Sequence, residues 1–418
     1  MSNYFHPNEQ QARDEREQSL FARLPEFIAK AQQNSPHYQA RFADIDAKSI
    51  NTRAKLAQLP ITRKSELIQL QKKQRPFAGI NAQNAQLSRI FQSPGPIYDP
   101  ENCQHDWWRM GQAFAAAGFV AGDMVQNCLS YHLTPGGFML DSGAQAVGCS
   151  VIPAGPGQTE QQLDIIEDLK PQGYCGTPSF LKILLAKAKQ QGRDVSSLNK
   201  ALVTGEALPQ TLRDEFTHAG IDVLQAYASA DVGLIAYESI ADEGLIIAED
   251  LIVEIVRPGS LEPVADGEIG EVVVTSFNND YPLIRFATGD LSAIKSGVSA
   301  CGRSNMRIKG WLGRADQTTK IKGMFVHPEQ IERVRLTHQN LPKARLTVSQ
   351  KNHQDQMHLQ CEFDAKSGTD TDIDTAHLLA ALKESLQQFT KLNGSVELMA
   401  LGSLPDDGKV IDDKRVIN

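Results

Sequence analysis

Apolar side chains recur every three to four positions across residues 11–34, at Leu20, Leu24, Phe27, Ile28 and Ala31, and predict an amphipathic helix that opens the fold. Asp106 to Ala117 predicts a second helix, stopped by Gly118 ahead of the turn Ala121-Gly122-Asp123. An alternation of short apolar runs and longer amphipathic segments follows, the signature of α/β layers. VQNCL, CSVIPAG, ALVTG and DVLQAYA read as strands, and Glu160–Leu169 and Phe180–Gln190 as helices. From Leu245 the pattern changes. LIIAEDLIVEIVRPG and GEIGEVVVTSF, separated by the turn Ala265-Asp266-Gly267, predict antiparallel hairpin strands. After Gly323 comes a smaller α+β unit: a helix over Glu329–Leu336, strands ARLTVSQ and MHLQCEF, a helix over Ala376–Lys391, and the strand SVELMAL. The expected organisation is an α/β protein with a large N-terminal body of layered α/β subdomains and a β-rich portion, residues 1–315, followed by a C-terminal α+β domain, residues 316–418. No internal repeat or low-complexity linker interrupts it.

Composition adds exclusions. With 418 residues there is chain enough for two or three domains, and 41% hydrophobic with 22% charged residues is the profile of a globular protein. A net charge of −8 argues against a nucleic-acid or anionic-membrane partner, both of which need a basic face. The polar start MSNYFHPNEQQARDEREQ has no apolar signal core, and no apolar run is long enough to span a bilayer. Cys103, Cys128, Cys149, Cys175, Cys301 and Cys361 are scattered, as reduced cytoplasmic thiols are, and form no C-x-x-C pair.

One stretch poses a question of its own. RIFQSPGPIYDP, residues 89–100, has the Ser, Gly and Pro content of a phosphate loop but no lysine or threonine. Pro94 and Pro96 carry no N–H, and Asp99 puts negative charge where a phosphate needs the opposite.

Several segments, in order, resemble the adenylate-forming superfamily and specifically its phenylacetate–CoA ligase branch: SPHYQARF with LPITRKSEL, SYHLTPGG, GCSVIPAGPGQTEQQ, CGTPSFL, YPLIRFATGDL, GWLGRADQTTKIKGMFVHPEQIE and DGKVIDDKRVIN. The resemblance covers nearly the whole chain. It implies ATP, Mg2+ and CoA as cofactor and co-substrates, a small carboxylic acid as substrate, and a C-terminal domain that moves as a lid. It also implies a homodimer.

The resemblance further implies roles for single residues. Asp290, closing IRFATGD, would hold both ribose hydroxyls, since a carboxylate offers two acceptors; alone, Thr-Gly-Asp would read as a turn satisfying itself. Arg314 would reach the nucleotide and Asp316 would be the hinge, against the alternative of a surface ion pair in a loop. Gly323 would line the CoA tunnel, where the missing Cβ leaves room for a thin thiol chain. Lys409 would be the catalytic lysine bridging the carboxylate and the α-phosphate, with the neighbouring Lys414 as substitute and a solvated terminal lysine as the plain alternative. Tyr227 and Ala228 would flank adenine and Asp231 would hold magnesium, while Ala230 stands where a hydroxyl usually meets the α-phosphate; otherwise Tyr227 is core and Asp231 a cap. Gly205 and Glu206 would lie beside adenine or form a strand-to-helix turn, with equal weight. Ser93 and Gly95 are what remains of the phosphate loop. Tyr131, Gly136 and Gly137 would shape a flat acyl pocket, with His132 given no chemical role. Cys301-Gly302-Arg303 retains one cysteine of a zinc loop, so no zinc is expected.

Three functions follow from these residues: an aryl-acid–CoA ligase acting through an acyl-adenylate, an adenylating enzyme with a non-CoA acceptor, and a non-catalytic nucleotide or acyl-CoA binder that has lost its phosphate loop.

Overall fold

The structure, a computed structural model, describes residues 4–415 except 94, 258–259, 316–318, 322–323, 327, 339, 352–353, 365–374, 406 and 408. The expected Asp316 hinge and Gly323 tunnel position lie outside the described residues.

The opening helix spans Arg13–Asn34 and buries Leu20, Leu24, Phe27, Ile28 and Ala31, the side chains its periodicity singles out. Ser35 ends it and caps the next helix, accepting from Tyr38 N, while Pro36 occupies the first helical position, where no N–H is needed. A nine-stranded sheet forms the centre of the body. Five of its strands are parallel: Ser150–Pro153, Met124–Asn127, Gly173–Gly176, Lys200–Val203 and Asp222–Ser229. The helices Gly136–Ala146, Thr159–Leu169, Pro178–Gln191 and Gln210–His218 supply the crossovers. At Asp222–Ser229 the sheet turns antiparallel and continues through Gly233–Tyr237 and Leu245–Ile247. A second sheet pairs Leu251–Val256, Gly270–Ser276 and Leu283–Ser292, with Thr62–Arg63 and Gly313–Arg314 both added against Leu283–Ser292.

Two expectations need correction. LIIAEDLIVEIVRPG is not one strand: Asp250 takes a left-handed φ of 61°, which sends Leu245–Ile247 into the first sheet and Leu251–Val256 into the second. Glu249, just before the break, is buried against Arg16 at 3.1 Å, so this polar interruption belongs to the core. The second helix covers only Gly111–Ala116. Asp106 (φ 48°) and Arg109 (φ 62°) are left-handed, and the Asp106 carboxylate accepts from Gly111 N, so the side chain starts the helix instead of continuing it.

The C-terminal unit has a sheet ordered Ser395–Met399, Gln354–Glu362, Lys343–Lys351, Ile411–Asp413, packed with helices Pro328–Thr337 and Thr375–Thr390. It has a hydrophobic cluster of its own, including Ile321, Val334, Leu346, Leu359, Leu382 and Leu386. Ile411–Asp413, a strand absent from the sequence reading, pairs parallel to Leu346–Val348 and so anchors the terminal DGKVIDDK segment.

Burial has a consequence for acid stability. His37 is half-buried beside Thr62, and burial together with Arg41 pushes its imidazole down to about 4. The unfolded chain takes up this proton near its ordinary value of about 6.5, whereas the native state refuses it until about pH 4. This contribution to stability is therefore present above pH ~6.5 and is lost as pH falls toward 4. The expected outcome is a steeper fall in melting temperature across that window for the native sequence than for His37→Gln, measured by thermal denaturation at stepped pH.

Candidate active site

The strand Leu283–Ser292 delivers Asp290 to the edge of a cleft of about 1100 Å3 between the body and the C-terminal unit. Gly289, left-handed at φ 80°, sits immediately before it. Asp290 Oδ1 accepts from Trp311 Nε1 at 3.1 Å and from Arg314 Nη1 at 3.0 Å, and Oδ2 accepts from the Tyr227 hydroxyl at 2.8 Å. Tyr227 thus comes from the central sheet, Asp290 from the second sheet, and Arg314 from the short strand paired in register with Asp290. Burial and the Asp290 carboxylate hold the Tyr227 phenol well above its ordinary range, so it stays a donor.

Three candidates far apart in sequence are therefore one cluster. Trp311 is a fourth member that sequence reasoning missed, although it opens the quoted motif GWLGRADQ. Its ring is half exposed while its N–H is held by Asp290.

Asp231 lies in the turn between Asp222–Ser229 and Gly233–Tyr237, with its side chain fully buried. Its Oδ2 accepts from Lys64 Nζ at 2.5 Å and its Oδ1 has no partner within the protein. Burial works against the Lys64 ammonium, but Asp231 outweighs it and holds the lysine above its ordinary range. Lys64 follows the strand Thr62–Arg63 and lines the cleft with Ala287, Gly289, Arg314 and Lys409. It was in the quoted motif LPITRKSEL, without an assigned role.

RIFQSPGPIYDP forms the hairpin Leu87–Ser93 with Ile97–Asn102. The Gln92 N–H is spent on the Leu133 carbonyl, and the buried Ser93 donates to the Ile97 carbonyl at 3.4 Å. Gly95 sits at the turn, followed by Pro96. Asp99 does not face solvent or cleft: it is fully buried, and burial first, then Asp231, push its carboxyl well above the usual carboxylate range. A ladder-paired hairpin replaces the open row of peptide N–H groups that cradles phosphates.

Lys409 lies on the other wall of the cleft, its Nζ 3.6 Å from Asp412. Lys414 reaches the same Asp412 at 3.8 Å, is 62% exposed against 38% for Lys409, and does not line the cleft. Lys309, Arg333, Arg335 and Lys343 add to a strongly basic rim, opposite in sign to the protein as a whole.

Other candidates lie apart from this cluster. Gly205 is left-handed (φ 81°) just after the strand Lys200–Val203. Glu206 precedes the helix Gln210–His218 without joining it and accepts from Ser179 N in the first turn of a different helix. Ala228 packs at the rim of the main core. The Tyr131 hydroxyl donates to Asp141 Oδ2 at 3.0 Å and accepts from Asn127, and its ring stands edge-on to Phe138 at 5.2 Å. A Cβ on Gly137 would meet the Ser130 carbonyl and the Tyr131 ring at 2.8 Å, and one on Gly136 would meet Leu129 at 3.3 Å. The paired glycines thus let the helix Gly136–Ala146 start directly beneath Tyr131. Cys301 accepts from the Ser239 hydroxyl and Arg303 N.

The AMP-binding enzyme family model matches residues 106–279, and the model of the AMP-binding enzyme C-terminal domain matches residues 323–418. A phenylacetate–coenzyme A ligase of Aromatoleum evansii is 29% identical over 94% of this chain and 92% of its own length. One of Escherichia coli is 29% identical over 96% and 95%. Among solved structures, a 2-hydroxyisobutyryl-CoA ligase in complex with 2-HIB-AMP and CoA matches with TM-score 0.71 at 20% identity, covering 99% of this chain and 93% of that one, a likeness of fold. Among the described residues no helix is long and apolar enough to cross a membrane.

Proposed function

The chain belongs to the AMP-binding enzymes, in their phenylacetate–coenzyme A ligase branch, and from that premise we propose that it activates an aromatic, phenylacetate-like acid with ATP and passes it to CoA. The observation that carries this reading is the convergence of Tyr227, Trp311 and Arg314 on Asp290 at the lip of a basic cleft, with Lys409 on the opposite wall.

In the first half-reaction the acid's carboxylate oxygen attacks the α-phosphorus and pyrophosphate leaves. Asp290 accepts from the two ribose hydroxyls, for which its present donors Trp311 and Arg314 move aside. Tyr227, Ala228, Gly205 and Glu206 border adenine. Lys409 puts its ammonium between the attacking carboxylate and the α-phosphate, where charge builds in the transition state. The acid's ring lies against Tyr131 over Gly136 and Gly137. Ser93 and Gly95 sit nearest the departing phosphates. Asp231, buried with one oxygen unpartnered, fits a ligand to Mg2+, which when bound with nucleotide neutralises phosphate charge. In the second half-reaction residues 316–418 rotate as a lid about Asp316, the thiol enters past Gly323, its sulfur attacks the acyl carbon, and AMP leaves. Scattered free thiols, four of them buried, fit a cytoplasmic enzyme, and a homodimer is its proposed assembly.

A second reading has one observation in its favour. The hairpin of residues 87–102 stands where a phosphate loop is expected, as in a homologue that binds nucleotide or acyl-CoA without turnover. CoA-dependent AMP formation over a panel of arylacetic, benzoic and short-chain acids decides between them. The ligase reading expects AMP release with an arylacetic acid. Acid-dependent pyrophosphate exchange that CoA does not pull forward moves the acceptor away from CoA, and no AMP with any acid overturns catalysis.

A further inference from the structure

Lys409 has one aspartate two residues before it and another three residues after it, and a single arginine holds both. Arg345 lies on the strand Lys343–Lys351 with its side chain buried. Its Nη1 donates to Asp407 Oδ1 at 2.7 Å, and its Nη2 lies 2.8 Å from Asp412 Oδ2. Strand pairing makes this reach possible. Asp412 stands opposite Thr347 in the ladder, and Thr347 shares a sheet face with Arg345 because side chains alternate. The Leu346 N–H donates to the Val410 carbonyl at 2.8 Å, so the backbone beside Lys409 is tied to the same strand.

Both aspartates act in turn on Lys409. Asp407 Oδ1 accepts from the Lys409 N–H at 3.0 Å, and Asp412 Oδ1 stands 3.6 Å from the Lys409 ammonium. The second distance is longer than an ordinary hydrogen bond, so the ammonium is leashed and not locked. Asp412 is shared: its other oxygen lies toward Arg345 and, at 3.8 Å, toward Lys414. Burial works against the Asp412 carboxylate, but Arg345 outweighs it and holds the carboxyl below the usual carboxylate range. We propose that Arg345 is a positioning residue for adenylation, fixing the turn around Lys409 through Asp407 and drawing Asp412 off the Lys409 ammonium, so that this charge stays presented to the cleft. Lys409 lines the cleft and Arg345 does not, so the arginine acts through the lysine and not on substrate.

Charge settles the direction of the effect. With Arg345 present, three cations share two carboxylates, and neither carboxylate needs Lys409 as its sole partner. Without it, Asp412 keeps only two lysines, of which Lys409 is the nearer, and the pair closes to contact. An ammonium held at contact has to leave that partner before it can bridge an attacking carboxylate and an α-phosphate. This inference rests on the ligase reading for what Lys409 does, while the state of the Lys409 amine can be read without turnover.

The test compares the full-length native sequence with Arg345→Met and with Arg345→Met combined with Asp412→Asn. Each half-reaction is measured separately, and lysine acetylation by acetic anhydride is followed at Lys409 by mass spectrometry. In Arg345→Met the kcat of acid-dependent ATP–pyrophosphate exchange is expected to fall about tenfold or more, with the KM for ATP within about twofold. Thioester formation from supplied acyl-adenylate and CoA should stay within about twofold, a split that general loss of folded protein does not produce. Labelling of Lys409 is expected to slow by about twofold to fivefold relative to the exposed Lys182, the size of one ion pair near the surface. Adding Asp412→Asn removes the capturing carboxylate and should restore the native labelling rate and most of the exchange. Arg345→Gln carries the same expectations should methionine fail to fold. Lys409 labelling as fast as native in Arg345→Met or Arg345→Gln overturns the proposal. So does slowing that Asp412→Asn leaves in place, and so do half-reactions that fall in parallel. If the native protein exchanges no pyrophosphate with any acid, the ligase reading fails and labelling alone decides: slowed Lys409 keeps the positioning, unchanged Lys409 overturns it.

Discussion

Lys409→Ala is expected to slow acid-dependent ATP–pyrophosphate exchange by about 10²–10³-fold, the usual loss when one donor to a developing negative charge is removed. The argument is positional. Lys409 stands two residues before the strand Ile411–Asp413, and that strand is fixed in register against Leu346–Val348, so the segment is held despite lying near the end of the chain. Asp412 balances its ammonium at 3.6 Å without burying it, which leaves Lys409 free to turn toward a more negative partner across the cleft. Lys414→Ala removes a lysine bound to the same carboxylate but outside the cleft, and should leave exchange within about twofold, as surface ion pairs contribute little. Thioester formation from supplied acyl-adenylate and CoA should survive Lys409→Ala, because the charge this lysine stabilises belongs to the first step. Exchange that survives Lys409→Ala and collapses in Lys414→Ala would reverse the assignment.

Periodicity located most helices and strands because each buries one face, and a buried face writes its period into the sequence. It failed where a single polar side chain redirects the backbone. Asp106 starts a helix that the apolar pattern runs through, and Asp250 splits an apolar run between two sheets. The site was legible as motifs, not as a constellation. Tyr227, Asp290 and Arg314 were each readable, but their meeting depends on Leu283–Ser292 pairing with Gly313–Arg314 in the second sheet and on a side-chain hydrogen bond from that sheet to a middle strand of the first. Trp311 and Lys64 lay within quoted motifs and carried no local signal, since a donor to a distant carboxylate looks like any surface residue. In sequence the hairpin at 87–102 resembles the remnant of a phosphate loop; that its acidic residue points inward follows from strand pairing of Asp99 with Phe91, a core side chain. Arg285, inside the motif IRFATGD, carries no local sign of its burial.

Arg285→Met is expected to give the largest loss of stability of any single change in that motif, about 3–5 kcal/mol, through the charge left unpaired. Arg285 is wholly buried and left-handed (φ 48°) in the strand that carries Asp290. Its guanidinium forks onto Glu254 at 3.0 and 3.1 Å and donates to the carbonyls of Ala57, Leu59 and Leu261 at 2.6, 2.7 and 2.9 Å. Glu254, whose carboxyl burial pushes up despite this partner, would be stranded by the substitution. Arg285→Met with Glu254→Met separates the two costs. Replacing a buried ion pair by apolar side chains is often nearly neutral, so the double variant should recover the part due to the stranded charge. It should not recover the part due to three carbonyls left without a donor, about 1 kcal/mol or more each. Urea denaturation followed by the fluorescence of the buried Trp107 and Trp108 measures both; a single variant within about 1 kcal/mol of the native sequence would sink the argument. The consequence reaches the cleft. The carbonyls of Ala57 and Leu59 lie just before Thr62–Arg63, the strand that pairs with Phe286 and Ala287 and sets Lys64 in the wall beside Gly289. One buried arginine therefore fixes how the segment bearing Lys64 lies against the strand bearing Asp290, and a folded remnant of Arg285→Met should lose activity beyond its share of unfolded protein.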